Sequence, residues 1–297
     1  MDKEIEKKWI EAGRIGAMAL DYGRKLVKPG VKLLEVAEKV EQKIRELGGR
    51  PAFPCNISRN DLAAHYTPAY NDEGIFLESD IIKLDVGAHI DGCISDNALT
   101  IDLSKSYPNL VKASIEAVNN AIKSIKPGVK IRELGKVIEK TITSLDANPI
   151  TNLSGHGIEI YKQHATPSIP NLDNGNNNVL KEDQIIAIEP FATLGNGDVT
   201  EGAPSGIYKL ENLKPARNNI ARDVLRFIAE EFKTLPFAKR WVISKFGAKG
   251  NLGFSLLERD GIIYSYPQLL ERSKGVVSQA EHTILVKEKP IVTTRLD

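Results

Sequence analysis

Two aspartates lie on what the sequence predicts to be a single β-hairpin. Residues 81–90 and 93–102 are β-prone runs separated by an Asp-Gly pair, which is a strong signal for a two-residue hairpin turn. In the resulting register Asp96 lies opposite Gly87, and Asp85 is its diagonal neighbour on the same face. Diagonal neighbours are about 7–8 Å apart at the backbone, close enough for the two carboxylates to converge on one ion.

The sequence around these carboxylates is apolar, with Cys93, Ile94 and Leu99 close by. Two carboxylates on one apolar face repel each other unless a cation or a proton lies between them. A solvated hairpin face is the alternative, but the apolar neighbours disfavour it. We therefore interpret Asp85 and Asp96 as metal ligands.

The chain contains two copies of one unit of about 100 residues, because similar segments recur at a nearly fixed offset. Residues 28–32 and 126–130 both read KPGVK, and further matches follow at the same spacing, among them Glu41 with Glu139. A four-residue HxTP motif also occurs once in each copy. Several matches in the same order indicate an internal duplication.

The duplication predicts two more carboxylate ligands. Asp85 corresponds to Glu189, which also follows an apolar run, and the counterpart of Asp96 is Glu281 on a later β-prone run. The acids of the second copy are much further apart in sequence than those of the first, so the second copy carries an insertion of roughly 80 residues, between about 200 and 270. Four carboxylates related by a pseudo-twofold axis form a site for two divalent cations.

Five histidines are candidates for the same site. His156 lies between two glycines, which we interpret as a turn that lets its imidazole approach an ion, so we predict that it is a ligand. His65 and His164 are equivalent in the two HxTP motifs, and their symmetry suggests shared use at the site. We expect His282, which points away from the neighbouring glutamate, to be core or to support a ligand, and we assign no role to His89.

Helices precede the strands in each copy. Apolar residues at spacings of three and four predict a first amphipathic helix that ends at Lys28-Pro29-Gly30. A second helix is predicted from about Leu33 to Leu47, where Gly48-Gly49 ends it. Helices followed by strands in each half predict an α+β fold, with helices on one face of a largely antiparallel sheet.

The composition excludes several classes of protein. The 297 residues carry 40 basic and 39 acidic side chains, which gives no global signal for binding nucleic acid or an anionic membrane. No segment approaches the roughly 18–20 apolar residues of a membrane span, and the charged N-terminus lacks the apolar stretch of a signal peptide. Cys55 and Cys93 are too few for a thiolate metal site or a disulfide framework. These features predict a cytoplasmic protein.

The predicted ligands lie in motifs that resemble those of the type 2 methionine aminopeptidases. The motifs are AAHYTP, LDVGAHIDGCISD, GHGI, IEPFAT and QAEHTILV, and the resemblance covers essentially the whole chain. It implies the pita-bread fold, in which the duplicated unit forms one catalytic domain, here residues 1–297. It also implies a hydrolase that removes an N-terminal methionine when the second residue is small. The long charged N-terminal extension of the eukaryotic enzymes is absent, which suggests the archaeal form.

The same resemblance distributes the ligands over two divalent cations. Asp85 would hold one cation, His156 and Glu189 would hold the other, and Asp96 and Glu281 would bridge them. Four carboxylates and one imidazole suit Mn²⁺, Fe²⁺, Co²⁺ or Zn²⁺. A water shared by two such cations loses its proton near neutral pH and can attack the first peptide carbonyl.

The resemblance further implies roles for residues around the cations. Glu189 would relay a proton to the departing amine, His164 would stabilise the oxyanion or bind the substrate carbonyl, and His65 would contact the amide of the second residue. The family positions that form the methionine pocket match Phe53, Tyr266, Ile207 and Pro236. Gln163 departs from the family, whose members often carry an apolar residue there, and this puts that part of the pocket wall in question.

Residues 205–265 form a predicted helical insertion with an excess of basic side chains, 11 Lys or Arg against 6 Asp or Glu. Contact with nucleic acid, for example ribosomal RNA near emerging chains, is one interpretation. The segment has neither a regular alternation of aromatic and basic residues nor an arginine-rich run, which are features of nucleic-acid-binding segments. We therefore favour a helical cover over one side of the substrate cleft.

Two other functions compete with the methionine aminopeptidase. An X-Pro peptidase of the same fold usually carries an additional N-terminal domain, for which this chain has no room. A catalytically silent relative that serves as a binding protein usually loses ligands, whereas all five are present here. We expect a monomeric enzyme that acts on the N-termini of nascent polypeptides, and proximity to the ribosome stays an open question.

Overall fold

A computed structural model describes residues 1–296, and within them the chain forms seven α-helices. Four of these helices belong to the two duplicated copies, and three lie together between two later strands. They are α1 (Lys3–Leu26), α2 (Leu33–Glu46), α3 (Pro108–Lys123), α4 (Ile131–Thr143), α5 (Asn219–Glu231), α6 (Lys239–Phe246) and α7 (Ala248–Arg259).

Sixteen strands complete the fold of residues 1–296, and all of the ladders that they form there are antiparallel. The strands are β1 (Arg50–Pro51), β2 (Asn56–Arg59), β3 (Leu62–Ala64), β4 (Ile81–Ile90), β5 (Cys93–Asp102), β6 (Asn148–Pro149), β7 (Ser154–Glu159), β8 (Lys162–Pro170), β9 (Ile185–Ile188), β10 (Phe191–Thr193), β11 (Val199–Leu210), β12 (Phe237–Ala238), β13 (Ile263–Glu271), β14 (Val277–Gln279), β15 (His282–Leu285) and β16 (Ile291–Val292). Most of the predicted ligands lie on two of the four sheets found in residues 1–296. One has the order β1-β4-β2 with β5 also paired to β4, and the other has the order β16-β15-β9-β7-β8.

The predicted helix pair of the first half is confirmed. α1 begins after Asp2, whose side chain accepts a hydrogen bond from the backbone N–H of Glu4, and ends at Leu26, shortly before the Pro-Gly pair. α2 ends before Gly48, which adopts a left-handed φ of 90° that glycine reaches without steric cost. The apolar sides of both helices bury one cluster against β4, which fixes the strand that carries Asp85.

The second half repeats this arrangement. α3 and α4 bury their apolar sides against β9 and β15 in a second cluster. The duplication extends to the backbone, because Lys32 forms an isolated antiparallel bridge with Ile75 and its counterpart Lys130 forms one with Val179. The α+β pita-bread architecture predicted from the sequence is therefore confirmed.

The two halves join along β5. The backbone N–H of Glu281 donates to the carbonyl of Ala98 at 2.9 Å, and Thr283 Oγ1 lies 2.7 Å from both the N and the O of Asp96. Residues opposite each other in an antiparallel pair point to the same face. The carboxylates of Asp96 and Glu281 therefore emerge side by side, although they come from different halves.

The three later helices, α5 to α7, bury a separate apolar cluster between β11 and β13. The segment predicted to be helical, residues 205–265, is helical only in its middle. Its two ends are strands, because β11 and β13 pair with Tyr208 opposite Ser265 and Leu210 opposite Ile263. Among residues 1–296, no helix has the combination of length and apolar character needed to cross a bilayer.

Candidate active site

The hairpin formed by β4 and β5 has the predicted register. Asp96 lies opposite Gly87, and Asp85 lies opposite Ala98. Gly87 leaves room for the ring of Phe53, because a Cβ at this position would collide with that ring. The glycine thus lets an aromatic side chain lie directly against the face that carries both carboxylates.

The acids of the second half occupy the adjoining ends of two paired strands. Glu189 directly follows β9, and Glu281 directly precedes β15. The last residue of β9, Ile188, pairs with the first residue of β15, His282. The two glutamates are therefore neighbours in space despite the long segment between them in the sequence.

His156 lies in a strand, not in the turn that its flanking glycines suggested. It belongs to β7 and pairs with Ala187 of β9. Gly155 and Gly157 are needed for close packing, since a Cβ at either position would collide with a backbone carbonyl of Ala187 or Thr166. Close approach of neighbouring strands, and not chain reversal, is the physical reason for the glycines.

The structure brings the predicted ligands from both halves together. His156 Nε2 lies 3.7 Å from Asp96 Oδ2 and 3.6 Å from Glu189 Oε1. One ligand atom each of Asp96, His156 and Glu281 lies within 4.8 Å of the other two, and all three residues are buried. Asp85 and Glu189 line the same cavity.

This group of side chains fits bound cations better than it fits a cation-free interior. Within residues 1–296, Asp85 Oδ1, Asp96 Oδ1 and Glu281 Oε1 are buried without a hydrogen-bond partner. Burial raises the pKa of Asp85, Glu189 and Glu281 well above the ordinary range, and neighbouring carboxylates raise each pKa further. Burying a carboxylate oxygen without a hydrogen-bond partner costs free energy. Bound divalent cations would stabilise these carboxylates in their ionised form.

Three side chains that contact the predicted ligands are not identifiable in this role from the sequence. Gln163 Nε2 donates to Asp96 Oδ2 at 3.0 Å. Gln279 Nε2 lies 3.4 Å from Glu189 Oε2 and 3.3 Å from a carboxylate oxygen of Glu281, and Thr283 bonds to the backbone of Asp96. In the sequence Gln163 stands out only as a departure from the family, and no local pattern indicates its contact with Asp96.

The two HxTP histidines reach the cavity from different elements. His164 lies on β8 with its ring 4.5 Å from the ring of His156, whereas His65 follows β3 with its ring 5.5 Å from that of Tyr266. Burial lowers the pKa of His65 to about 4 and holds the pKa of His164 well below its usual value. Both rings are therefore neutral at pH 7 and can donate or accept a hydrogen bond.

The remaining histidines lie away from the cavity. His282 Nδ1 is 2.9 Å from Thr294 Oγ1, in agreement with a supporting or core position. His89 is buried and accepts a hydrogen bond from the backbone N–H of Gly92 through Nδ1 at 3.2 Å. It thus stabilises the hairpin turn.

The five predicted ligands line a cavity of about 610 Å³ that also has an apolar wall. The residues expected to form the methionine pocket line that wall, namely Phe53, Ile207, Pro236 and Tyr266. Asn56 also lines the cavity and was missed in the sequence. Its Nδ2 donates to Pro54 O at 2.8 Å, which leaves Oδ1 buried without a partner among residues 1–296.

Comparison with known proteins identifies the relatives of the chain. The model of metallopeptidase family M24 matches residues 7–288. The methionine aminopeptidase of Methanocaldococcus jannaschii is 49% identical over 99% of this chain and 100% of the relative. The methionine aminopeptidase of Archaeoglobus fulgidus is 48% identical over 97% of each chain.

Solved structures support the same fold. A thermophilic Arx1 superposes with a TM-score of 0.85 at 18% identity, over 100% of this chain and 93% of that chain. A methionine aminopeptidase from Thermotoga maritima superposes with a TM-score of 0.73 at 24% identity, over 100% and 98% of the respective chains. Identities this low establish the fold only, whereas the archaeal relatives are similar along their whole length. The chain therefore belongs to metallopeptidase family M24 and, within it, to the methionine aminopeptidases.

Proposed function

We propose that this chain hydrolyses the first peptide bond of proteins and peptides that begin with methionine followed by a small residue, with two divalent cations held between its two halves. The observation that carries this proposal is the convergence of four carboxylates and one imidazole, three of them with buried oxygens that lack hydrogen-bond partners within residues 1–296. Such a group of acids matches the chemistry of a dinuclear hydrolase.

Each half contributes ligands to both proposed cation sites. Asp85 would hold one cation, His156 and Glu189 would hold the other, and Asp96 and Glu281 would bridge the two. Mn²⁺, Fe²⁺, Co²⁺ and Zn²⁺ all suit this mixture of oxygen and nitrogen donors. When bound, two such cations lower the pKa of a shared water and polarise a substrate carbonyl.

Glu189 is proposed to carry the proton from the attacking water to the departing amine. Its side chain lines the cavity and is 15% exposed, and its Oε2 lies 3.4 Å from the amide nitrogen of Gln279. A fixed orientation of this kind suits a carboxylate that takes up and returns a proton at one place.

The two HxTP histidines are proposed to bind different parts of the peptide. His164, beside His156, would donate a hydrogen bond to the carbonyl oxygen as negative charge develops on it. His65, on the opposite side near Tyr266, would contact the amide of the second residue. A neutral imidazole can fill either role, which is compatible with the lowered pKa of each ring.

The apolar wall is proposed to select methionine. Phe53 and Ile207 are almost fully buried, and together with Pro236 and Tyr266 they offer an apolar surface to an unbranched thioether side chain. Gln163 lines the same cavity, but its amide donates a hydrogen bond to Asp96. Less of its polar surface is therefore available to a substrate than expected for a glutamine side chain.

The segment 205–265 is proposed to act as a cover over one side of this cleft. Ile207 and Pro236 come from this segment and line the cavity, which supports a structural role at the substrate site. Nascent chains in the cytoplasm are the substrates that this activity implies, and we propose that the enzyme acts as a monomer. A position near the ribosome would bring it to these substrates.

The test is cleavage of the peptides Met-Ala-Ser and Ala-Pro-Ser, followed by mass spectrometry. The purified protein is stripped of metal and then reloaded with Mn²⁺ or Co²⁺. We expect metal-dependent loss of methionine from Met-Ala-Ser only. Cleavage before proline would instead support an X-Pro peptidase, and no cleavage of either peptide with any metal would support a binding protein.

A further inference from the structure

A buried ion pair joins the later helices to the first half of the chain. Arg240 of α6 donates to a carboxylate oxygen of Glu41 on α2, and the side chain of each residue is only 3% exposed. Trp241 Nε1 donates to the other carboxylate oxygen of Glu41 at 2.8 Å. Burying an ion pair has a desolvation cost that often cancels its attraction, so stability alone does not account for it.

The glutamate of this pair holds the segment that carries Phe53. Glu41 Oε1 accepts a hydrogen bond from the backbone N–H of Cys55 at 3.1 Å. Cys55 lies between two residues that line the substrate cavity, Phe53 and Asn56. The ion pair is therefore connected to one wall of the cavity through a single backbone contact.

The arginine holds the segment that carries His65. Arg240 Nη1 donates to Thr67 Oγ1 at 2.5 Å and to the carbonyl of Pro68 at 3.2 Å. Thr67 Oγ1 in turn donates to the carbonyl of Cys55 at 2.8 Å. The buried network thus ties the His65 segment to the Phe53 segment, and both ends of it reach the cavity.

The His65 segment needs such support because its backbone is unusual. His65 has a φ of 62°, in the left-handed region that residues with a Cβ rarely adopt. Such conformations cost about 1–3 kcal/mol and persist where the surrounding structure determines them. Among residues 1–296 its imidazole makes one hydrogen bond, from Nδ1 to Pro267 O at 3.3 Å, so the position of the ring also depends on the backbone that follows it.

The residue of the second half that corresponds to Glu41 makes different contacts. Glu139, the counterpart of Glu41, is half-buried and accepts a hydrogen bond from the backbone N–H of Asp173 at 3.1 Å. Within residues 1–296 it forms no ion pair. The buried pair is thus specific to the half whose HxTP histidine lies in a loop and not in a strand.

We propose that Arg240 and Glu41 are positioning residues that hold His65 at the substrate cavity. This inference rests on the proposed function, because it concerns the peptide that His65 would contact. In this proposal α6 contributes to catalysis through the contact between Arg240 and Glu41, neither of which lines the substrate cavity.

The experiment is a double-variant cycle on the metal-loaded, full-length chain with Met-Ala-Ser as substrate. Arg240→Met is expected to lower kcat/KM by at most about tenfold, because misplacing His65 cannot cost more than losing the one hydrogen bond that His65 would make to the peptide. The double variant Arg240→Met/His65→Ala should be no less active than the lower of the two single variants, because both changes remove the same interaction. Losses that multiply would overturn the proposal.

The matched control is Arg50→Met. Arg50 also pairs with a carboxylate of the later helices, Glu231 of α5, but both side chains are about half exposed and neither lines the cavity. We expect kcat/KM to stay within about twofold of the original, as is usual for exposed ion pairs. An equal loss in Arg50→Met and Arg240→Met would show that any loosening of these helices is sufficient, and would overturn the proposal.

A readout without catalysis separates this inference from the proposed function. In protein labelled with ¹⁵N-histidine, the ring resonances of His65 should shift in Arg240→Met and return towards the original position in Arg240→Lys, while those of His89 stay unchanged. Unchanged His65 resonances would overturn the positioning role. If the original chain fails to cleave Met-Ala-Ser, the proposed function fails, and the resonances still test the contact. If Arg240→Met does not fold, Thr67→Val tests the same connection.

Discussion

The two halves of the molecule build equivalent pairs of carboxylates in different ways. In the first half Asp85 and Asp96 belong to one hairpin with a two-residue turn. In the second half Glu189 and Glu281 flank β9 and β15, which pair although the segment with α5 to α7 lies between them. Strand pairing, and not closeness in sequence, therefore determines where each of these acids lies.

The HxTP motifs differ as well, although their sequences are almost the same. His164 is part of β8, and its ring meets the ring of the predicted ligand His156 edge-on. His65 lies after β3 in a left-handed conformation and meets Tyr266. One copy of the motif therefore lies beside a predicted cation ligand, and the other lies beside Tyr266 in the part of the cavity that is proposed to hold the rest of the peptide.

The strongest test of equivalence between the halves is to remove one acid from each. Asp96→Ala and Glu281→Ala are both expected to abolish activity and to lower the number of bound metal ions, because each carboxylate is proposed to bridge both cations. Metal content is measured by mass spectrometry of the reloaded protein, and activity is measured with Met-Ala-Ser. Full activity in either variant would contradict the bridging assignment.

The same substitutions carry an internal control for folding. Without metal, each variant lacks one of several buried carboxylates that repel one another, so its melting temperature should be equal to or higher than that of the metal-free original. A lower melting temperature in both variants would indicate that the loss of activity reflects unfolding.

A smaller and unequal effect is expected from the two histidines. His164→Ala should lower kcat by about 100- to 1000-fold, the usual effect of removing a donor to an oxyanion. His65→Ala should lower kcat/KM by about tenfold, as expected when one hydrogen bond to a charge-free group is lost. Steady-state kinetics with Met-Ala-Ser measures both, and equal effects on kcat would contradict the division of roles between the two motifs.

A further effect, on metal binding and not on turnover, is expected from a side chain of the second half whose counterpart in the first half is apolar. Gln163 supports Asp96, whereas the residue at the equivalent position before His65 is Ala64. Gln163→Leu should weaken Mn²⁺ binding by about tenfold, because side chains that orient ligands contribute this much to affinity. Titration calorimetry measures it, with Lys162→Leu, an exposed neighbour, as a control that should bind Mn²⁺ normally. Unchanged affinity in Gln163→Leu would mean that the contact does not orient the carboxylate.

Local patterns predicted several parts of the structure correctly. The Asp-Gly turn fixed the register of β4 and β5 residue by residue, and the Pro-Gly and Gly-Gly pairs marked the ends of α1 and α2. The same kind of reasoning was wrong for His156, whose glycines were interpreted as a turn. Glycine serves both chain reversal and close strand packing, and the sequence alone does not distinguish them.

Sequence patterns could not predict the contacts that support the candidate site. Arg240 and Glu41 are far apart in the chain, and so are Gln163 and Asp96. Hydrophobic periodicity and turn chemistry act over a few residues, so they contain no information on such pairs. Asn56 likewise has an unremarkable sequence context, and only its place opposite Asp85 across β2 and β4 brings it to the cavity.

By itself the sequence determined the chemistry of the site, because carboxylates within apolar runs are tolerated only where a cation or a proton compensates their charge. It also determined the duplication, and with it which four acids must meet. The tertiary structure decided how they meet: β5 pairs with the strand of Glu281, α6 reaches α2, and the two HxTP motifs adopt different backbones. These outcomes depend on packing between distant segments, whose free energy arises only when the whole chain is folded.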